Sequence, residues 1–224
     1  MRPELLVSDF AGTAMKEEGT VLNAYRVALN DYAIPFTEDD LAARRGASKR
    51  AVFRELSART GRADHLEAAD LALARFEGAL REEYETGDVQ PVDGAVDAFA
   101  ALKASGIKLA LSSGFERDIV DLLARRLGFD ELFDVILSST DTPLGRPAPY
   151  LIYRAMIDLS VQDVSRVAVV GDTPLDLQAG MNARAGWVIG VTSGAHGMAT
   201  LGATHHTHLL ASVAGLPRLF GIDA

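Results

Sequence analysis

The chain has no cysteine, so disulfides and thiol chemistry are excluded and the redox compartment is left open. It has no run of about 20 apolar residues, so no membrane-spanning helix is expected. It has no excess of basic residues. The net charge of −9 argues against a general binder of nucleic acid or anionic membrane, although a local basic pocket remains possible. The amino terminus, Met-Arg-Pro, runs straight into a strand-like segment without an apolar leader or a cleavage site, so cytoplasm is the default location. Internal repeats and low-complexity segments are also missing. What is present is ordinary for a soluble globular protein: 224 residues, 48% hydrophobic and 24% charged, enough for one or two domains. No stretch decides between a monomer and a homodimer.

The apolar run Leu5 to Val7 ends at Asp9 and is followed by Gly12-Thr13, which reads as a short buried strand closed by a turn. From about Val21 to Tyr84 the pattern is helical throughout, with Thr37 and Asp40 spaced as a helix cap. From Val92 onward helix and strand alternate. Strands are expected over Ile107–Leu111, Val135–Leu137, Val167–Val170 and Trp187–Val191, with a short edge strand at His208–Leu210. A helix is expected over Ser212–Phe220. Such alternation favours an α/β fold with a parallel sheet covered by helices. The first strand precedes the helical block and the others follow it. Residues 15–89 are therefore expected to be a helical cap inserted into a core made of residues 1–14 and 90–224.

Four stretches would share the carboxyl edge of that sheet, where chemistry sits in open α/β folds. Asp9 suits a nucleophile or a metal ligand, although an Asp ending a strand is more often a turn residue. Ser112-Ser113-Gly114 offers a hydroxyl and backbone N–H groups before a helix, which suits an anion, although such a stretch taken alone is more often an ordinary helix cap. Gly145-Arg146-Pro147-Ala148-Pro149 holds a lone cation in a stiff loop, either to neutralise a phosphoryl group and a carboxylate or as a solvated Arg. Gly171-Asp172-Thr173-Pro174-Leu175-Asp176 places two carboxylates around a helix start, and burying them together calls for a cation such as Mg²⁺.

The order and spacing of these stretches resemble the haloacid dehalogenase superfamily over nearly the whole chain. The resemblance implies a Rossmann-like core with an inserted type-one cap. It implies Asp9 as nucleophile, Ser113 as the second-motif hydroxyl, Arg146 as the third-motif base, and Asp172 and Asp176 as the acidic fourth motif. Mg²⁺ is the implied cofactor, held by Asp9, the Ala11 carbonyl and Asp172 with Asp176 nearby. The loop of Ala11, Gly12 and Thr13, together with Ser113, Gly114 and Arg146, would receive the phosphoryl group. A small phosphorylated or phosphonate compound is the implied substrate.

Ordinary phosphatases of that superfamily carry a second Asp two residues after the nucleophile, and here that position is Ala11. The Asp9-Phe10-Ala11-Gly12-Thr13 and Gly-Arg-Pro-Ala-Pro sequences instead resemble the phosphonoacetaldehyde hydrolase branch. In that branch a cap lysine forms a Schiff base and removes the need for an acid. Gly46-Ala47-Ser48-Lys49 supplies glycine and lysine at the branch's spacing, and Arg45 or Arg50 would lower the lysine pKa. Two positions depart from the branch: Arg45 replaces its Met, and Val52 replaces its His. The same four residues resemble the Gly-Val-Ser-Arg clamp of sugar-phosphate mutases and phosphatases, and a solvated lysine is the bland alternative. C–P bond hydrolysis, a phosphomonoesterase for a small metabolite, and a non-catalytic phosphate-ester binder are thus the three functions in view. His196 and the group His205, His206 and His208 read as solvated loop or turn residues.

Overall fold

The computed structural model describes residues 2–222. Strand β1 is Leu5–Asp9, and four helices follow it: α1 (Thr20–Asp31), α2 (Glu38–Ala42), α3 (Lys49–Ala58) and α4 (His65–Thr86). Then come α5 (Ala95–Ala104), β2 (Lys108–Ser112), α6 (Arg117–Leu127), α7 (Phe129–Leu132) and β3 (Val135–Leu137). The rest is α8 (Tyr150–Asp158), β4 (Val167–Gly171), α9 (Pro174–Ala183), β5 (Trp187–Val191), α10 (Met198–Gly202), β6 (His208–Leu210) and α11 (Leu216–Leu219). The helix expected over Ser212–Phe220 is split into a 3₁₀ turn at Val213–Gly215 and α11, because Pro217 in the first turn of α11 starts a new helix.

The six strands form one parallel sheet in the order β3-β2-β1-β4-β5-β6. The first strand in sequence is therefore central, flanked by β2 and β4, and buried on both faces as parallel sheets require. Alternation along it divides the core into two layers. Leu6 packs in the layer that holds Phe99 and Leu102, while Leu5 and Val7 pack in the layer that holds Leu151, Ile152 and Ala155.

Helices α1, α3 and α4 pack against one another around Tyr25, Phe53 and Phe76, whose ring centroids lie 4.6–5.5 Å apart. Thr37 and Asp40 make a full capping box at the start of α2, as their spacing predicts. The two chain segments that join this block to the sheet run side by side. Lys16 N–H donates to Gln90 O at 3.0 Å and Val92 N–H donates to Ala14 O at 2.9 Å.

Phe99 is fully buried in α5 with its ring 4.9 Å from that of Phe133. Replacing Phe99 by Ala is expected to lower the unfolding free energy by about 3–5 kcal/mol in a urea titration. Activity per folded molecule should be unchanged, since the residue lies away from the carboxyl edge of the sheet.

Candidate active site

The carboxyl ends of β1, β2 and β4 bring the four motifs to one edge. Asp9 is in register with Ser112 on β2, and Asp172 directly follows the last residue of β4. Asp176 lies in the first turn of α9, which Thr173 caps. Carboxylate oxygens of Asp9, Asp172 and Asp176 lie within 4.8 Å of one another, and the three residues are 7%, 1% and 2% exposed.

Arg146, with its side chain 6% exposed, is set among them. Its Nη1 pairs with Asp9 Oδ1 and, at 2.8 Å, with Asp176 Oδ1. Its Nη2 donates to the Ser112 carbonyl at 3.0 Å and to the Ser112 hydroxyl at 2.7 Å. The planar fork suits this double role, which an ammonium could not fill in the same way. Asp176 Oδ2 accepts from the Thr173 N–H and hydroxyl, so both of its oxygens are engaged. Asp172 accepts from the Thr13 hydroxyl at 3.2 Å and from the Ala195 N–H at 2.6 Å. Gly12 (φ +93°) comes so close to Asp172 that any Cβ there would collide with the carboxylate.

Burial pushes the Asp172 carboxyl well above the usual carboxylate range, and the charges of Asp9 and Asp176 push it further. Burial also raises Asp176, to about 6, against the opposing pull of Arg146. Three buried acids around one guanidinium leave a surplus of negative charge at a set of hard oxygen donors. That donor set fits a divalent cation such as Mg²⁺.

A cavity opens in front of Asp9. Asp9, Asp172, Ser113 and Gly114 line it on the sheet side, and Tyr25 and Lys49 line it on the helical side. The loop before Lys49 is pressed onto the sheet edge, and a Cβ at Gly114 would stand 2.7 Å from the Ala47 carbonyl.

Lys49 is 5% exposed, so it is not a solvated surface residue. Its Nζ donates to the Ala47 carbonyl at 3.4 Å and lies 5.8 Å and 5.2 Å from the ring centroids of Tyr25 and Phe115. Burial lowers its pKa to about 8; Asp9 opposes the shift and Arg146 adds to it. The cations expected to do this, Arg45 and Arg50, are not among the main causes. Arg50 is exposed and faces Asp70 and Glu116.

The structure thus brings Asp9, Ala11, Lys49, Ser113, Gly114 and Asp172 to one cavity. Gly12, Thr13, Arg146 and Asp176 stand behind that wall. Thr13 is fully buried on Asp172, and Arg146 and Asp176 line a smaller pocket on the far side of Asp9. The Ser113 hydroxyl accepts from the Phe115 N–H at 3.1 Å, so it also shapes its own turn.

Two participants, Ser112 and Glu17, have no assigned role in the sequence reading, and a third, His196, lies elsewhere than expected. Ser112 braces Arg146, a role visible only once β2 is set beside β1. Glu17 lines the cavity while its Oε1 accepts from the Gly19 and Val21 N–H groups at 3.0 Å, and an acid just before a helix is the signal that could have found it. His196, expected in solvent, is half-buried with Nδ1 3.3 Å from the Asp172 carbonyl, and burial lowers its pKa. By contrast, His206 and His208 bond to the neighbouring Thr204 and Thr207.

The chain matches the family model of haloacid dehalogenase-like hydrolases over residues 3–184. It is 34% identical over 111 residues to a phosphonoacetaldehyde hydrolase of Parabacteroides distasonis, a stretch covering 48% of this chain and 41% of that protein. A phosphonoacetaldehyde hydrolase of Bacillus cereus is 31% identical over 105 residues, covering 46% of this chain and 39% of the relative. The match therefore spans about two fifths of the length of these curated relatives. Among solved structures, a hydrolase from Pseudomonas syringae superposes with a TM-score of 0.85 at 20% identity, covering 99% of this chain and 100% of the other. A phosphonoacetaldehyde hydrolase-like protein from Oleispira antarctica superposes with a TM-score of 0.80 at 18% identity, covering 99% and 92%. At these identities the superpositions speak for the fold.

Removing Arg146 leaves the acid cluster without its buried cation. Arg146→Ala is expected to lower stability by about 3–5 kcal/mol, measured by denaturant unfolding. Arg146→Lys should recover only part of the loss, because a lysine cannot reproduce the fork between two carboxylates and Ser112.

Proposed function

The chain belongs to the haloacid dehalogenase-like hydrolases, and on that premise we propose that it hydrolyses a small phosphonate or phosphate ester with Asp9 as nucleophile. The observation that carries the reading is the buried Lys49 amine facing a cavity floored by Asp9 and Asp172. In this reading residues 15–89 are a cap over a core of residues 1–14 and 90–224.

Arg146 fixes Asp9 through Oδ1, while Oδ2 has no hydrogen-bond partner among the described residues. Oδ2 is therefore the oxygen for in-line attack on phosphorus, giving an aspartyl-phosphate that water then cleaves. Ser113 and the Gly114 N–H would receive the phosphoryl oxygens. Mg²⁺ held by Asp9, Asp172 and the Ala11 carbonyl, with Asp176 behind, would supply charge neutralisation between nucleophile and anionic substrate.

Ala11 offers no acid for a leaving group, and the Lys49 amine answers that lack. A carbonyl bonded to the C–P carbon condenses with the neutral amine, releasing water, and the imine takes a proton from solvent to become the iminium. The iminium then accepts the C–P electron pair as Asp9 attacks, and the enamine hydrolyses to free carbonyl product and amine. A cap pressed onto Gly114 would exclude bulk water during these steps.

One observation favours a second reading. Val52, where the phosphonoacetaldehyde hydrolase branch has a proton-shuttling His, is 2% exposed and packed in the core. Without that shuttle, Lys49 as a charged clamp on a phosphate ester is the alternative.

Acetaldehyde formation from phosphonoacetaldehyde with Mg²⁺ decides between the two. The C–P reading expects activity in the wild type and none in Lys49→Arg, which keeps the charge but cannot form the imine. Because Lys49 is protonated below about pH 8 and neutral above, kcat/KM for this route should rise through that pH. A clamp would make it fall instead. Phosphate release from esters with no acetaldehyde would establish the second reading, and neither product would end both.

The metal assignment has its own readout. Mg²⁺ at about 100 times its Kd should add about 2.7 kcal/mol of stability, seen as a rise in Tm. Asp172→Asn should remove most of that rise.

A further inference from the structure

Glu17 lies in the segment between β1 and α1, where it is half-buried and lines the cavity together with Asp9 and Lys49. Its Oε1 accepts from the Gly19 and Val21 N–H groups, both at 3.0 Å. Gly19 stands at the start of α1 and has no side chain to cap it, so Glu17 supplies the missing acceptor from upstream. That task needs one acceptor oxygen, which a glutamine also has. The helix therefore explains Oε1 and leaves the acid unexplained. Oε2 has no hydrogen-bond partner among the described residues and is not sealed from solvent. The Glu17 charge also acts on Lys49, raising its pKa against the effect of burial.

The imine route needs a group that moves protons. Attack by the neutral Lys49 amine leaves a positive charge on nitrogen and a negative charge on the former carbonyl oxygen. A proton must then pass from nitrogen to oxygen twice before water departs. Ala11 and Val52 supply no carrier. Among the titratable residues that line the cavity, Asp9 and Asp172 are taken up by phosphorus and metal, and Lys49 is the amine itself. The Arg45 guanidinium does not give up its proton. Burial pushes the Tyr25 phenol far up and seals its hydroxyl. Glu17 remains.

Resting on the reading that Lys49 condenses with a substrate carbonyl, we propose that Glu17 is the catalytic acid–base of that condensation. Its carboxylate takes a proton from the nitrogen of the first adduct and returns it to the oxygen, giving the neutral carbinolamine. It then takes the second nitrogen proton and gives it to the departing hydroxyl. The C–O bond breaks, the C=N bond forms, and water leaves with the carboxylate regenerated. Oε1 stays on α1 throughout, and Oε2 carries the proton. The proton carrier thus sits on the segment leading into the helical block, and a Val at position 52 leaves the route intact.

The test times imine formation directly. Wild type, Glu17→Gln and Glu17→Ala are mixed with phosphonoacetaldehyde and Mg²⁺ and quenched at intervals with borohydride, which reduces the imine to a stable amine. Peptide mass spectrometry counts the phosphonoethyl and ethyl groups on Lys49 together. Glu17→Gln keeps the acceptor for α1 and cannot carry the proton. It is expected to hold Tm near that of the wild type and to slow adduct formation about a hundredfold. Glu17→Ala loses the cap as well, so its Tm should fall. Added formate can enter the space left by the Ala variant and should speed its adduct formation, without helping the Gln variant. Glu18→Gln, at an exposed neighbour, should match the wild type in rate and Tm.

Adduct formation at the wild-type rate in Glu17→Gln would overturn the proposal and leave Glu17 as a helix cap. Slowing of Glu17→Gln that comes with a fall in its Tm, together with no response of the Ala variant to formate, would overturn it too. A wild type that forms no adduct on Lys49 would end the C–P reading and this assignment together. Acetaldehyde release by the wild type beside a fully active Glu17→Gln would end only this assignment.

Discussion

Three carboxylates buried within 4.8 Å of one another repel, and Arg146 is the buried cation that touches two of them. The position of each remaining part of the site can be referred to that contact. Asp9 is fixed through one oxygen, which leaves the other toward the cavity. Asp176 is drawn back from the cavity because its oxygens are divided between Arg146 and the cap of α9. Asp172, out of reach of the guanidinium's hydrogen bonds, is held by Thr13 and the Ala195 N–H. Ser112 orients the guanidinium from the neighbouring strand. An arrangement of this kind is poorly stable by itself. Its retention is understandable where a divalent cation and an anionic ligand come to the same edge.

Much of this architecture is legible in the residues. The runs Val135–Leu137, Trp187–Val191 and His208–Leu210 form strands with those bounds, because each is a short apolar run closed by turn formers. Long helices with periodic apolar faces were equally plain. What escaped were elements too short to show a period, α7 and α10, and the break at Pro217 inside what reads as one helix. In the site, the strand-end acids announce themselves because each follows a strand directly. The parts that depend on contacts across the fold do not. The engagement of Arg146 with Asp176, the bracing by Ser112 and the bond from His196 to the Asp172 carbonyl join residues 24 to 34 positions apart, and no local pattern encodes them.

Lys49 shows the difference most clearly. Its spacing from Gly46 suggests a functional lysine, but its character depends on where α1 and the segment after β2 place Tyr25 and Phe115. Burial between two aromatic faces is what separates an amine poised near neutrality from an ordinary helix-start lysine. Burial also outweighs any flanking arginine as the cause of the lowered pKa.

The helical block joins the sheet through a single pair of segments, bonded to each other between Lys16 and Gln90 and between Ala14 and Val92. A chain that leaves and re-enters a scaffold at one point makes little demand on what lies between. Asp9, Asp172 and Asp176 sit on the scaffold side of that junction, and Lys49 and Tyr25 sit on the other. Heredity can therefore treat the two as separable goods: the carboxylate cluster can pass unchanged through descent while the helices between the two segments are rewritten around it.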